Sequence, residues 1–398
     1  MAIEEKYNIT IKAVLSGTQF NDAKKSIQSG DNSYDVFSVP MQGATAQLAQ
    51  GGMLLDLKTV PYIDLQKPWW DQKANQELSI DNKLMFTISD LTIIDKDALF
   101  IFFFQKDVIQ QYALDDPYKL VRDGTWTIEK MYDMAKVVPK DINGDGVMDD
   151  TDQYGLLTAG HTIHGNIISS GHFFITKDAS DMPVLNITDP IIQASYDKWI
   201  NIINDKTTTC LAQDWDKKHV SPDIWEYQLE MLNEKRALFA YVGMDRVTEL
   251  RNFDCNFGIL PNPKFDETQT EYYNEVHPWC STAISIPTSS PDLERTGIIL
   301  EALTGESYYT LLPAYYDISL KNKFMRDEES GQMLDLIFST KCYDLGAIFD
   351  WGGMFTNLLA TLPLNKTNNT DFVSAYEKIM PKIQTDMQKA IDAFSAQT

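Results

Sequence analysis

Short apolar runs of period two, each closed by a turn signal and followed by an amphipathic stretch, restrict the fold of this chain more than any other feature. Ile9-Thr-Ile-Lys-Ala-Val14 alternates with β-branched residues and predicts a strand. Ser33-Tyr-Asp-Val-Phe-Ser-Val39 predicts a second, stopped by Pro40, and a helix over 44–50 follows with Gly51-Gly52 as its stop. Ala98-Leu-Phe-Ile-Phe-Phe-Phe104 reads as a buried strand, as do Ala237-Leu-Phe-Ala-Tyr-Val242 and Ala283-Ile-Ser-Ile286. Amphipathic helices are predicted over 191–204, with Ile192, Tyr196, Trp199, Ile200 and Ile203 on one face, over 223–234 and over 371–394. Strand, helix, strand at this spacing implies α/β architecture with parallel sheets under covering helices. At 398 residues and 43% hydrophobic content the chain is long enough for two domains. Leu260-Pro-Asn-Pro263 reads as a crossing point between them.

The formal net charge is -23, spread along the sequence with no acidic tail. Such a surface repels phosphate backbones and anionic headgroups, so nucleic acid and membrane surfaces are poor partners. No apolar run approaches the ~20 residues that a membrane span needs. The chain opens Met-Ala-Ile-Glu-Glu with no basic region or apolar core, which by itself argues for the cytoplasm. Four cysteines, Cys210, Cys255, Cys280 and Cys342, allow three pairings, and no Cys-x-x-Cys occurs, so neither a redox motif nor a zinc knuckle is indicated.

Asp141-Ile-Asn-Gly-Asp-Gly-Val-Met-Asp-Asp-Thr-Asp152 carries the sharpest local chemistry. Asp141, Asn143 and Asp145 fall at positions 1, 3 and 5 of a calcium loop, Gly146 at 6, the Val147 carbonyl at 7, Asp149 at 9 and Asp152 at 12. Alternate oxygen side chains converge on a hard cation and the glycine permits the sharp turn, so structural Ca2+ is expected; an acidic solvated turn is the alternative. The departure from the pattern is Asp rather than Glu at the last position. Tryptophans beside polar groups suit sugars, which offer apolar C–H faces and hydroxyl rims: Trp69-Trp70-Asp71, His277-Pro-Trp279 and Asp350-Trp351-Gly-Gly have that form, against the alternative of packing. His161 and His164 lack the flanking ligands of a zinc site. No Gly-x-Ser-x-Gly, His-Glu-x-x-His or phosphate loop is present, although paired carboxylates leave a glycoside hydrolase or lyase open.

Five segments, in order, resemble the family 1 extracellular solute-binding proteins, the maltose-binding-protein-like components of ABC importers. They are Tyr34-Asp-Val-Phe with Ala49-Gln-Gly-Gly-Met-Leu-Leu-Asp56; Trp126-Thr-Ile-Glu; Arg236-Ala-Leu-Phe-Ala-Tyr-Val-Gly243; Asn256-Phe-Gly-Ile-Leu-Pro-Asn-Pro263; and Ser281-Thr-Ala-Ile-Ser-Ile-Pro287. The resemblance implies a two-lobed periplasmic-binding-protein-like fold of type II with a helix-rich second lobe. One lobe would comprise 1–94 and 265–311, the other 95–264 and 312–398, with crossovers near 90–104, 260–265 and 312. It implies a monomeric binder, not an enzyme, that closes on a mono- or oligosaccharide and delivers it to a membrane permease from the cell exterior or periplasm; a lobed binder of a peptide or polyamine is the alternative. By position in that fold, Gln42, Asp90, Asp245, Arg246, Trp279 and Trp351 are the expected ligand contacts, the last five around one inter-lobe groove. Asp245 and Arg246 stand where the family commonly has tryptophan.

Ile3-Glu-Glu-Lys-Tyr-Asn-Ile-Thr-Ile11 is similar to the end of the family's first helix and the start of its second strand. The resemblance therefore implies that the family's first strand, a signal peptide and any lipid-anchor cysteine would lie upstream. A sheet of 2-1-3 order would then leave a one-strand gap between residues 9–14 and 36–39.

Overall fold

The computed structural model describes residues 2–396 apart from 216, 220–222, 251–252, 255, 317–319, 321–326 and 366–369. Its strands are β1 (Phe37–Pro40), β2 (Phe100–Gln105), β3 (Tyr154–Thr158), β4 (Ile175–Lys177), β5 (Pro183–Leu185), β6 (Thr209–Leu211), β7 (Ala237–Gly243), β8 (Phe257–Leu260), β9 (Asn274–Glu275), β10 (Thr282–Ser285) and β11 (Lys341–Cys342). They form two main β layers, each with its own helices.

The larger layer is a five-stranded sheet of order β6-β3-β7-β2-β8. β3 is parallel to β6 and β7, whereas β2 runs antiparallel to both β7 and β8, so the all-parallel expectation is corrected to a mixed sheet. The Phe-rich β2 belongs there because both its faces are covered, which is what an uninterrupted apolar run requires. Phe102 packs against Trp126, Trp199, Phe239 and Tyr241. Trp199 comes from the helix Pro190–Asn204, which buries the predicted face and is capped by Asp189 accepting the Ile191 amide at 2.8 Å. Helix Ile224–Asn233 covers β7 and helix Glu328–Ser339 covers β8.

The smaller layer is built around β10. β1 runs antiparallel to it, from Phe37 opposite Ser285 to Pro40 opposite Thr282, and single bridges join Thr87 to Ile284 and Leu54 to Pro287. Phe37 and Val39 point inward and Ser38 outward, so the alternation set the facing correctly while a segment distant in sequence supplied the partner. The strand expected over 9–14 does not form. Those residues are largely exposed loop, with Val14 67% and Leu15 98% exposed. Alternation makes a strand only where a neighbouring strand completes the ladder; here the Ile9 and Ile11 amides are taken by Glu4 instead, and among the described residues no strand pairs with the segment. Among the described residues β1 has β10 as its only strand partner.

The chain passes between the layers three times: from Thr87 to β2, from β8 to β10, and from helix Leu293–Pro313 to helix Glu328–Ser339. β9 and β11 pair in parallel at this junction, and Leu99 bridges Val276 beside them. The terminal helix Phe372–Ser395 packs on both helix Ala46–Gln50 and helix Pro190–Asn204, tying the layers together. Among the described residues no helix is long and apolar enough to cross a membrane.

Candidate ligand-binding site

A cavity of about 300 Å3 opens where β7 ends, between the two layers. It collects Asp97 and Phe100 from the first crossing, His161 from the turn after β3, Trp225, Asp245 and Arg246 from the larger layer, and Cys280 from the loop before β10. Each is placed by local chemistry. Asp223 accepts the amides of Trp225 and Glu226 at 3.0 and 2.9 Å, capping helix Ile224–Asn233 and fixing Trp225 in its first turn. The Trp225 ring meets His161 edge-on at 5.4 Å. Asp245 sits on the turn Met244–Arg246 directly after β7, and its carboxylate folds back over Gly243, where a Cβ would lie 2.3 Å from Asp245 Oδ1 and turn that side chain aside.

The hydrogen bonds around His161 determine its tautomer. The Gly160 amide can only donate, and it donates to Gln213 Oε1 at 3.1 Å. Gln213 Nε2 is therefore the donor facing His161 Nδ1 at 2.7 Å, so Nδ1 accepts and the imidazole proton lies on Nε2. Burial, with a further push from His164, lowers the His161 pKa to about 4, so the ring stays neutral at ordinary pH. The site thus holds a neutral N–H donor with no proton partner of its own among the described residues.

Opposite in character are two carboxylates. Asp97 accepts from the Tyr315 hydroxyl at 2.5 Å, and burial together with the charge of Asp245 raises its pKa. Burial also raises Asp245, although Arg246 opposes it. Arg246 is already committed: its Nη1 donates to Glu249 at 2.8 Å and its Nε lies 3.7 Å from Asp245. Cys280 is a free, solvent-accessible thiol whose crowded surroundings push its pKa up to about 11, so it lines the site in its protonated form. Cys210 and Cys342 are buried free thiols; Cys255 lies outside the described residues.

The expected five-residue groove is not formed. Asp245 and Arg246 line the cavity. Trp279 lies on the adjoining loop with 63% of its surface exposed, next to the lining Cys280. Asp90 faces a different cavity and pairs with Lys96 at 3.1 Å. Trp351 is buried, stacked on Phe349 at 5.0 Å and 17°. Its neighbouring glycines serve the backbone rather than an open ring face: Gly352 has φ +65° and abuts Ile383 of the terminal helix. Gln42 donates to the Ala347 carbonyl at 3.0 Å, joining the end of β1 to helix Leu345–Phe349. Trp69 and Trp70 both donate their indole N–H to Glu301 at 3.0 Å, clamping helix Leu293–Pro313. His161 and His164 diverge, the latter facing Glu275 at 2.9 Å in the core.

Sequence reasoning missed His161, Trp225, Asp97, Phe100 and Cys280. Only Trp225 carried a local signal, a large ring one residue after the first helical position behind an Asp cap.

In the loop 141–152, Asp141 accepts the Gly144 and Gly146 amides at 2.6 and 2.8 Å, and Gly146 adopts φ +80°. Asp152 accepts the Ile142 and Asp149 amides at 2.8 and 2.9 Å, one on each oxygen, which leaves each oxygen a second lone pair. Among the described residues no three Asp, Glu, His or Cys groups gather around one metal position.

Two β layers linked by three crossings, with a cavity between them at the strand ends, define the type II solute-binding-protein fold. Solved structures of that fold superpose along the whole chain. A sugar transporter from Rhizobium etli in an open conformation matches with TM-score 0.64 and 13% identity, over 100% of this chain and 94% of that one. UgpB from Mycobacterium tuberculosis in complex with glycerophosphocholine gives 0.61 and 14%, over 98% and 93%. An ABC substrate-binding protein from Listeria monocytogenes in complex with cycloalternan gives 0.56 and 11%, over 99% and 93%. No protein-family model matches the chain, and none of the curated proteins does.

Proposed function

We propose that the protein is the solute-binding component of an ABC importer and that it captures a neutral polyhydroxylated solute, a mono- or oligosaccharide, in the cavity at the end of β7. The observation that carries this reading is the pairing of a fixed donor, His161 Nε2–H, with the acceptors Asp97 and Asp245 beside the Trp225 ring. A hydroxyl group both accepts and donates, so a sugar satisfies both kinds of partner at once. An anion would meet two carboxylates with the one lining guanidinium already engaged by Glu249, and an ammonium has no lone pair for His161. The Trp225 face offers the stacking surface that a pyranose C–H face seeks. Resemblance to structures that include ABC substrate-binding and sugar-transport proteins supports the importer role, and with it an exterior or periplasmic location, a monomeric state and a permease partner.

Thermal shift against a panel of mono- and oligosaccharides tests this. A saccharide at about 100 times its Kd adds ~2.7 kcal/mol of stability, and the shift grows with the logarithm of its concentration. The same mixtures, sampled over hours by chromatography, are expected to contain unaltered sugar. No concentration-dependent shift with any saccharide overturns the reading, and product formation would replace it with a hydrolase using Asp97 and Asp245.

We also propose Ca2+ in the loop 141–152, held by oxygens of Asp141, Asn143, Asp145, Asp149 and Asp152 and by the Val147 carbonyl. The residue order and the curl of Asp141 around Gly144 and Gly146 support it. Chelator-stripped protein is expected to gain stability on micromolar-to-millimolar CaCl2 addition and Asp145→Ala to lose that gain; an unchanged melting curve overturns it.

A further inference from the structure

A second cavity, about 660 Å3, lies across the crossing segments from the first. Asp95 and Lys96 face it, where the next residues, Asp97 and Ala98, face the other. Tyr316 faces it, where Tyr315 reaches Asp97. The two spaces are thus distinct, back to back.

Its floor is a buried lattice of opposite charges. Lys341 Nζ lies 2.7 Å from Asp71 and 2.5 Å from Asp95, and Lys96 Nζ lies 3.1 Å from Asp90 and 3.2 Å from Asp95. The Tyr343 hydroxyl adds a bond to Asp71 at 2.9 Å. Both ammonium groups are therefore used twice, and neither is left over for an anion. The carboxylates outnumber the ammoniums three to two. Asp90 spends one oxygen on Lys96, and its other oxygen has no hydrogen-bond partner among the described residues. At the rim Lys73 and Asp335 oppose each other in sign, so the residual charge stays negative.

The walls are aromatic. Tyr308 and Tyr309 meet edge-to-face at 5.0 Å, with Trp69 behind Tyr308 at 6.3 Å, and Tyr316 packs on Phe338 at 5.6 Å. Tyr309 lines the cavity with 69% of its surface exposed. Aromatic faces beside a residual carboxylate, with no uncommitted cation, attract a positive charge carried on an apolar body; the ring quadrupole and the carboxylate both favour it. An anion meets net repulsion there.

We infer that this cavity is a second ligand site, specific for a small organic cation such as a methylated ammonium, with Asp90 and the Tyr308–Tyr309 pair as its recognition elements. The inference is independent of what the first cavity binds.

Calorimetry on the full chain with choline chloride and tetramethylammonium chloride tests it, with NaCl and sodium acetate at equal ionic strength as controls. Saturable binding of the organic cations alone is expected, weakened at least ten-fold by Asp90→Asn and by Tyr309→Ala. Tyr309 is exposed, so that variant keeps its fold even where Asp90→Asn, which alters a buried ion pair, does not. Asp245→Asn in the first cavity is expected to leave cation affinity unchanged. Absence of saturable binding, equal binding of the wild type and Tyr309→Ala, or a loss on Asp245→Asn as large as that on Tyr309→Ala overturns the assignment.

Discussion

Glu77 lies under β11, accepting the Tyr343 amide at 2.8 Å, and burial pushes its pKa up to about 7. Between pH ~4.5 and 7 the folded protein therefore holds a proton there that the unfolded chain has released. Stability from this group is greatest at the acid end and declines as pH rises through that window, by up to ~3 kcal/mol. Glu77→Gln retains the acceptor for Tyr343 without the titration, so its melting temperature is expected to fall less from pH 5 to 7.5 than that of the wild type. His161 has the opposite sign: with a folded pKa of about 4, it costs stability as pH drops below 6.5, while above pH 5 it stays neutral. Saccharide affinity is accordingly expected to be flat in its His161 contribution from pH 5 to 8, with His161→Phe weakening it ~2- to 10-fold, the worth of one hydrogen bond. Nitrogen NMR of the imidazole should show the proton on Nε2. None of this was legible in the sequence. His161 and Gln213 are joined only because β3 and β6 are parallel neighbours, whose ends bring the turn at Gly160 and the short helix Ala212–Trp215 side by side.

At the scale of elements, local chemistry was far more readable. Asp189 and Asp223 both cap the helices expected after them, and the amphipathic faces over 190–204 are buried as the periodicity requires. Asp223→Ala is expected to cost ~1 kcal/mol by loss of the cap and to loosen Trp225, seen as a lower melting temperature and weaker saccharide binding. Helix Leu293–Pro313 docks so closely that a Cβ at Gly297 would lie 1.8 Å from the Pro61 carbonyl. Backbone cannot yield as a side chain does, so Gly297→Ala should cost about 3 kcal/mol or more, measured by chemical denaturation. Where element reading failed, it failed for want of a partner: residues 9–14 alternate as well as 37–40 do, yet only the latter meet β10.

At the scale of the molecule, Lys341 joins what the crossings bring together. It follows helix Glu328–Ser339 and reaches Asp71, at the cap of helix Gln72–Glu77, and Asp95, on the first crossing. Its folded pKa is raised by these two carboxylates against the opposing effect of burial. Lys341→Met would leave both carboxylates buried without that counter-charge, at a cost of ~3–5 kcal/mol. Because the pairs are buried, the loss in melting temperature is expected to persist in 0.5 M NaCl, where exposed pairs are screened within ~4 Å.

The sequence by itself determined most of the elements (though not the fate of residues 9–14), the facing of their side chains and, through five ordered segments, the two-lobed class. Those properties depend on neighbours a few residues away. The family resemblance also singled out Asp245 and Arg246, which line the cavity at the end of β7. Tertiary structure alone decided that β2 is antiparallel, that Trp351 is core, and that Asp97, His161, Trp225 and Cys280 share one cavity. Each of those facts joins residues from separate crossings or layers, and spacing along the chain carries no record of which distant backbone completes a ladder or closes a wall.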